Sequence, residues 1–323
     1  MNVAPASAPA AGAPDVGEDD RLHAVLIEPQ LKRFRDVHDL HGLPLTVSFE
    51  GWHRHAILAP ERVYLFPRDR SRVPGLRREA SALRALEGRG VSAPRLLGQW
   101  EDREISPYPY LAVSRLPGRT WSHLERGATL EETARLLEGL GRAIASWHRL
   151  DRRSLAGSVP RRRTDVERFL ATGLEDAAVS AARQLRLPPR RADSWLRTLE
   201  PLPRMAPVLV HGDVNEGQIL VDEGLRVTGV LDWETAHVGH PLKDFDLGEW
   251  GYGIFAWDAH FHLLRRRMWE AYAGARGGHL PSWEAVHLAF CLSWAHWFAP
   301  RAAGDPWARA RLETTLDHLR RLT

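Results

Sequence analysis

The sequence predicts an α+β protein with two lobes, in which a small antiparallel β-sheet lobe precedes a mainly helical lobe. Three observations lead to this fold class. Short β-branched and aromatic runs separated by turn signals dominate residues 45–113. From Thr129 onward, apolar residues recur mainly at helical spacing. The 323 residues also exceed one ordinary domain of about 100–200 residues. We therefore expect a flexible tail over residues 1–20, an N-terminal lobe over 21–117 and a C-terminal lobe over 118–323.

The predicted N-terminal lobe is a sheet of short strands with one helix between them. Leu76, Leu83 and Leu86 fall on one helical face, which predicts a helix over 76–86. Pro117 and Gly118 then mark a hinge. The strands are expected at Leu45–Phe49, Ala56–Leu58, Val63–Phe66, Arg95–Leu97 and Pro107–Val113.

The predicted C-terminal lobe is helical except for three short strands. Thr129 and Glu132 form a capping box at the start of an apolar stripe that reaches Trp147. Further helices are predicted over 258–275, over 282–298 and after Pro306. The strands are expected at Val208–Val210, Ile219–Val221 and Val227–Leu231, and the turn residues Asp222, Glu223 and Gly224 predict a hairpin between the last two.

The composition excludes several kinds of site and partner. The single cysteine, Cys291, rules out intramolecular disulfides and cysteine-based zinc sites, and it fits a reducing cytoplasm. No apolar run reaches the roughly 18 residues of a membrane helix, so we expect no membrane partner. The net charge is +3, and acidic residues are interleaved with the basic ones. We therefore expect no nucleic-acid binding, which would require a clustered basic surface.

The segment around the predicted hairpin carries residues to which a chemistry can be assigned. Asp213 follows the first strand, Gln218 stands five residues later, and Asp232 ends the hairpin nineteen residues after Asp213. Phosphoryl transfer needs such polar groups in two separate roles. One carboxylate orients the attacking hydroxyl, while a second carboxylate and an amide oxygen hold Mg²⁺ on the triphosphate.

These residues and their neighbours resemble the motifs of the aminoglycoside phosphotransferase family, whose members are kinase-like enzymes that phosphorylate hydroxyl groups of antibiotics and small metabolites. The motifs are His211-Gly212-Asp213, Gln218, Asp232-Trp233 and the segment Gly239–Asp244. A weaker likeness links the chain to phosphotransferases of tuberactinomycin peptides such as viomycin and capreomycin. The resemblance covers most of the chain from about residue 40 onward. It implies a bilobed protein-kinase-like fold, ATP or GTP as phosphoryl donor, Mg²⁺ as cofactor and a small-molecule hydroxyl as acceptor.

The resemblance also implies a role for individual residues. Asp213 is the catalytic base, and Gln218 and Asp232 hold Mg²⁺. His211 and Asp244 support the loop that carries the base. The nucleotide is contacted by Glu79 in the small-lobe helix and by the backbone of Ser114 and Leu116 at the hinge.

The chain departs from the family at three positions. The strand Val63–Pro67 should carry a lysine or arginine that pairs with phosphate and Glu79, but Leu65 or Phe66 stands there. Gln218 is longer than the family's asparagine, and His240 replaces an aspartate. Because charge-assisted contacts position phosphates, another cation is needed. Arg54, in the loop between the first two strands, is our candidate, followed by its neighbours His53 and His55.

Several alternatives stay open. The absent strand cation favours a non-catalytic, nucleotide-binding pseudokinase, and a housekeeping kinase of an amino alcohol or sugar is a third function. His211, Asp213, His237 and His240 could instead form a metallohydrolase site. Acidic and aromatic residues after the last motif could bind a cationic acceptor, or could belong to the core and helix caps; they are Glu249, Trp250, Trp257 and Asp258.

Overall fold

The computed structural model describes residues 22–49, 53–123, 128–155, 157–245 and 261–322. The chain forms two compact units, one made of residues 1–77 and 95–115 and the other of residues 78–94 and 116–323. The order of predicted elements does not reveal that residues 78–94 cluster with the second unit. The predicted tail and the substrate candidates Glu249, Trp250, Trp257 and Asp258 lie outside the described residues.

Strands and helices both contribute, which confirms the α+β class. The strands are β1 (Thr46–Ser48), β2 (Arg54–Leu58), β3 (Arg62–Pro67), β4 (Leu96–Trp100), β5 (Tyr110–Ser114), β6 (Arg119–Thr120), β7 (Val208–Val210), β8 (Ile219–Val221), β9 (Val227–Val230) and β10 (His237–Gly239). The α-helices are α1 (Glu28–His38), α2 (Val73–Leu86), α3 (Leu130–His148), α4 (Asp165–Arg168), α5 (Leu174–Gln184), α6 (Arg190–Leu199), α7 (Phe261–Arg276), α8 (Trp283–Phe298) and α9 (Pro306–Arg321). No helix in the described ranges combines the length and apolar character needed to cross a bilayer.

The first unit is built on an antiparallel sheet of five strands in the order β1-β2-β3-β5-β4. Helix α1 covers one face of this sheet, and its fully buried Phe34 packs on Tyr64 and Phe66 at ring-centroid distances of 4.8 and 5.8 Å. Because side chains alternate along a strand, Leu65 of β3 points to the opposite face. This pattern fixes the core of the unit and the orientation of β3.

Helix α3 organises the second unit. The predicted capping box is present, since Thr129 N–H donates to the Glu132 carboxylate at 2.8 Å and Glu132 N–H donates to the Thr129 hydroxyl at 3.3 Å. Gly141 lets α3 and α7 approach closely, because a Cβ at this position would lie 2.2 Å from the Met268 carbonyl oxygen. The buried stripe of α3 therefore packs against α7 and forms the core of this unit.

Two small sheets, β6-β8-β9 and β7-β10, complete the second unit. The predicted hairpin is confirmed: β8 and β9 are antiparallel, with Ile219 opposite Val230. Asp222 closes its turn by accepting hydrogen bonds from the N–H groups of Gly224 and Arg226, both at 2.9 Å. The hairpin thereby brings the chain back from residue 218 to residue 231, where Leu231 N–H donates to the Gln218 carbonyl at 2.8 Å.

Candidate active site

Asp213 stands on a tight loop that directly follows the buried strand β7. The preceding Gly212 has φ +88°, and a Cβ there would lie 3.0 Å from both the Thr235 carbonyl oxygen and Cε1 of His237. Glycine adopts this left-handed conformation without steric cost, and here it also avoids the two contacts. The loop can therefore turn sharply and leave the Asp213 side chain half-buried at its end.

Gln218 contacts Asp213 directly. Its amide Nε2 donates to Oδ2 of Asp213 at 2.9 Å. An intervening turn sets this approach, because Asn215 accepts from Gly217 N–H through its side chain and from Gln218 N–H through its carbonyl, at 3.0 and 3.1 Å. The Gln218 Oε1 atom is buried and accepts no hydrogen bond from the described residues. The amide thus has one end fixed on the carboxylate and one oxygen available for a ligand.

Asp232 follows β9 in a left-handed backbone conformation, with φ 65° and ψ 62°. Such a conformation is uncommon for a residue other than glycine and tends to be held by its surroundings. Here Trp233 is fully buried and its indole N–H donates to the Val230 carbonyl at 2.9 Å. His211 Nε2 donates to the Leu231 carbonyl at 2.8 Å, which ties the end of the hairpin to the Asp213 loop.

The donor set around Gln218 and Asp232 fits Mg²⁺. A carboxylate and an amide oxygen are hard ligands, and proteins usually hold Mg²⁺ with one or two carboxylates while water and substrate phosphates complete the shell. Among the described residues, no three His, Cys, Asp or Glu side chains converge as a metal cage. The buried, unpaired Oε1 of Gln218 therefore supports a metal held jointly by the protein and a nucleotide.

The fully buried Asp244 holds the loop that carries Asp213. Its Oδ2 accepts from His211 N–H at 2.9 Å and from the Trp147 indole at 2.8 Å, while Oδ1 accepts from Gly212 N–H at 2.8 Å. Burial alone would raise the pKa of Asp244, but hydrogen bonds from His148 and Gly212 outweigh it and lower the pKa to about 2. Asp244 is therefore an ionised acceptor whose bonds fix the loop backbone.

His148 links Asp244 to Tyr272. Nε2 of His148 lies 3.0 Å from Oδ2 of Asp244, and Nδ1 lies 3.0 Å from the Tyr272 hydroxyl. Since Asp244 is an acceptor, we assign the proton to Nε2 and a donated bond from the Tyr272 hydroxyl to Nδ1. Burial lowers the pKa of His148 despite the neighbouring carboxylate, so the imidazole is neutral at neutral pH.

The predicted nucleotide-binding residues are divided between the two units. Glu79 is buried on α2 within the second unit, and the Leu116 side chain covers Gly229 of β9, where a Cβ would lie 2.4 Å from Cδ1 of Leu116. Ser114 ends β5 in the first unit and exchanges two hydrogen bonds with the Arg95 backbone, each 2.9 Å long. Arg54 opens β2 in the same unit, opposite Pro67.

The structure decides two points that the sequence left open. Because Phe66 packs in the α1 core, Leu65 is the residue on the other face of β3. The metallohydrolase alternative is wrong. His211, His237 and His240 each direct a ring nitrogen to a backbone carbonyl, at 2.8, 2.8 and 2.9 Å, and form no metal-ligand group among the described residues.

Several residues at the site escaped the sequence analysis. Thr235 donates from its hydroxyl to the His211 carbonyl at 2.7 Å, and Tyr272 completes the His148 contact. Burial raises the pKa of Glu216, which lies between Asp213 and Gln218. A polar residue on an apolar helical face, as His148 is on α3, is the one signal that could have indicated the buried network.

Comparisons with known proteins identify the family and the fold of this chain. The sequence pattern of the phosphotransferase enzyme family matches residues 46–321. The viomycin phosphotransferase of Streptomyces vinaceus is 29% identical over 210 residues, which are 60% of this chain and 69% of that protein. A GDP complex of a wild-type aminoglycoside 2'-phosphotransferase shares the fold with a TM-score of 0.57 at 17% identity, covering 92% of this chain and 98% of the other. A macrolide 2'-phosphotransferase from Brachybacterium faecium gives 0.51 at 19% identity, covering 88% and 98%.

Proposed function

Because the chain belongs to the phosphotransferase enzyme family, we propose that it transfers the terminal phosphoryl group of ATP or GTP to a hydroxyl of a small molecule in the cytoplasm. The similarity to viomycin phosphotransferase supports an antibiotic as the acceptor, and a tuberactinomycin peptide is the first candidate. Aminoglycosides and macrolides follow, since phosphotransferases of both share the fold.

One observation carries the proposal: the Gln218 amide contacts the proposed base, Asp213, and also has an oxygen atom available for a metal ion. Its Nε2 orients Asp213, its Oε1 is buried without a hydrogen bond among the described residues, and the backbone carbonyl of Gln218 accepts from Leu231 N–H, one residue before Asp232. Phosphoryl transfer is catalysed mainly by positioning and by electrostatic stabilisation, so a fixed link between base and metal ligand is the feature it requires.

Asp213 acts on the acceptor. Gln218 occupies Oδ2, so Oδ1 is the oxygen that receives the hydroxyl proton. The acceptor oxygen forms a bond to the γ-phosphorus while the bond from that phosphorus to the β–γ bridging oxygen breaks, and the nucleoside diphosphate leaves with its electron pair. Asp244 keeps the loop in place through its bonds to His211 and Gly212. Mg²⁺, held by Gln218 and Asp232, would neutralise charge on the phosphates.

A pseudokinase is the second candidate, and Leu65 is the observation that favours it. This nearly buried side chain is at one of the two positions where, by the family resemblance, a phosphate-binding cation is expected. Without a replacement cation, the chain would bind nucleotide without transferring phosphate.

A nucleotide-consumption screen separates these functions. The purified protein is given MgATP or MgGTP with viomycin, capreomycin, aminoglycosides, macrolides and amino alcohols, and the D213N protein serves as the blank. We expect consumption with at least one antibiotic, and phosphorylated product by mass spectrometry. Consumption with amino alcohols alone would assign a metabolite kinase. Mg²⁺-dependent nucleotide binding without transfer to any acceptor would establish the pseudokinase.

A further inference from the structure

A cavity of about 470 Å³ lies in the second unit, apart from the candidate active site. It is bounded by the end of α6, by the segment before β7 and by the loop between α7 and α8. Val208, Pro241 and Tyr272 form its inner wall, and none of the described lining residues is Asp213, Gln218 or Asp232. The volume falls within the range of small-molecule sites, roughly 300–1,000 Å³.

The rim of this cavity is cationic. Arg197, Arg204 and Arg276 line it together with a single acidic residue, Glu200. Glu200 is already engaged, since its carboxylate lies 2.6 Å from the Arg204 guanidinium. Arg197 makes no side-chain hydrogen bond to another described residue. Guanidinium groups bind phosphate and carboxylate oxygens in bidentate fashion, so two arginines remain to hold an anion above an apolar inner wall.

The inner wall leads to the loop that carries Asp213. Arg276 stands four residues after Tyr272 on α7, both line the cavity, and the charge of Arg276 opposes the rise in the pKa of Tyr272 that burial causes. That hydroxyl is bonded to His148, which is bonded to Asp244, and Asp244 holds the backbone of His211 and Gly212. An anion that engages Arg276 therefore changes the charge beside Tyr272, the first member of a continuous hydrogen-bonded series.

We propose that this cavity binds a small molecule with a phosphate or carboxylate group on an apolar body, through Arg197 and Arg276, and that the loop 211–213 responds to its binding through Tyr272, His148 and Asp244. The proposal concerns a second site and does not depend on which acceptor the enzyme phosphorylates.

Isothermal titration with phenyl phosphate and benzoate tests the binding, with benzyl alcohol as the neutral probe of similar shape. Titrations are repeated with saturating MgADP to occupy the nucleotide site. We expect both anions to bind with and without MgADP and the alcohol not to bind. R197Q and R276Q should each weaken binding about tenfold or more, as loss of a charge-assisted hydrogen bond predicts. R190Q removes the same charge from the same helix outside the cavity, and should have no effect.

Hydrogen exchange tests the link to the loop. Phenyl phosphate should slow amide exchange over residues 211–213 in the wild-type protein, and this protection should be lost in Y272F while binding remains. Absence of binding at millimolar concentration, competition by MgADP, or affinity unchanged in both arginine variants would overturn the site. Binding without a change in exchange at the loop would overturn the link.

Discussion

Strand β3 of the first unit and the loop after β7 of the second unit differ in how their residues are held. In β3, Tyr64 and Phe66 are fixed by aromatic packing on Phe34, and Leu65 is apolar on the other face. The loop after β7 is fixed by hydrogen bonds to charged and polar groups, chiefly those of Asp244. The difference teaches that the two segments are specified by different forces, β3 by aromatic packing and the loop that carries Asp213 by hydrogen bonds to a buried carboxylate.

The largest effect, a loss of turnover, should come from a substitution in the loop after β7. D213N removes the group that accepts the hydroxyl proton but keeps an acceptor for Gln218. We expect kcat to fall by roughly 10²–10⁴-fold, the range for loss of a general base, with nucleotide affinity retained. Steady-state kinetics with the acceptor found in the screen, together with nucleotide titration, measure both quantities. Near-normal turnover would remove Asp213 from the mechanism.

The second effect tests whether the loop depends on its buried acceptor. D244A leaves His211 N–H, Gly212 N–H and the Trp147 indole without their charged partner. We expect the free energy of unfolding to fall by about 3–5 kcal/mol, because three buried donors each lose an acceptor, at roughly 1–3 kcal/mol per donor. Urea denaturation measures the change. The matched control is D317A, which breaks an exposed pair with Arg320 and should cost no more than about 1 kcal/mol. Equal losses in the two variants would contradict the role given to Asp244.

A third effect compares the response of the two units to acid. Burial lowers the pKa of His38 in the first unit to about 4 and, with Arg265 nearby, that of His287 in the second unit to about 3. The unfolded chain takes up these protons near pH 6.5, so stability is full above that pH and falls as the pH drops below it. At pH 5 each histidine should lower the free energy of unfolding by on the order of 2 kcal/mol.

Urea denaturation at pH 7.5 and pH 5 measures this loss in the wild type and in H38Q and H287Q. In each variant, the free energy of unfolding should change less between pH 7.5 and pH 5 than it does in the wild type. An unchanged difference in either variant would mean that its histidine is not a buried neutral group in the folded protein.

The smallest effect concerns the cation that residues 63–67 of β3 lack. R54A should raise the nucleotide KM several-fold, because a guanidinium beside the phosphates is lost. L65K, which places a lysine in β3, should partly restore the KM when combined with R54A. R70A, an exposed arginine of the same unit, is the control. If R54A leaves the KM and kcat unchanged, His53 and His55 are the next residues to replace.

Local signals predicted the elements that surround Asp213. The capping box of Thr129 and Glu132 and the turn at Asp222 are short-range patterns, and both are present. Helix α1 was missed because only Leu31, Phe34 and His38 of its eleven residues are buried, which leaves a weak periodicity. The β3 register could not be chosen, because alternation separates Leu65 from Phe66 without saying which face α1 covers.

The candidate site likewise combines an arrangement that follows from local structure with contacts between distant parts of the chain. Asp213 follows β7, while Gln218 precedes and Asp232 follows the β8-β9 hairpin, so their arrangement along the chain follows from local structure. Asp244 and Tyr272 stand 96 and 124 residues from His148. The packing of α3 against α7 brings Tyr272 to His148, and the segment after β10 brings Asp244. Long-range contacts of this kind leave no pattern in a single sequence, so the partner of His148 could not be predicted.

The burial of Trp233 gives the protein an internal optical sensor. This indole has no exposed surface. Its ring centroid lies 4.7 Å from that of His211 and 5.3 Å from that of Trp147. A rigid indole shielded from water fluoresces at short wavelength, and energy passes between indoles at such a separation. Any event that loosens the Asp213 loop must disturb this pair. A red shift in emission that is lost in a W233F variant would therefore report on the loop in real time, without a label and without turnover.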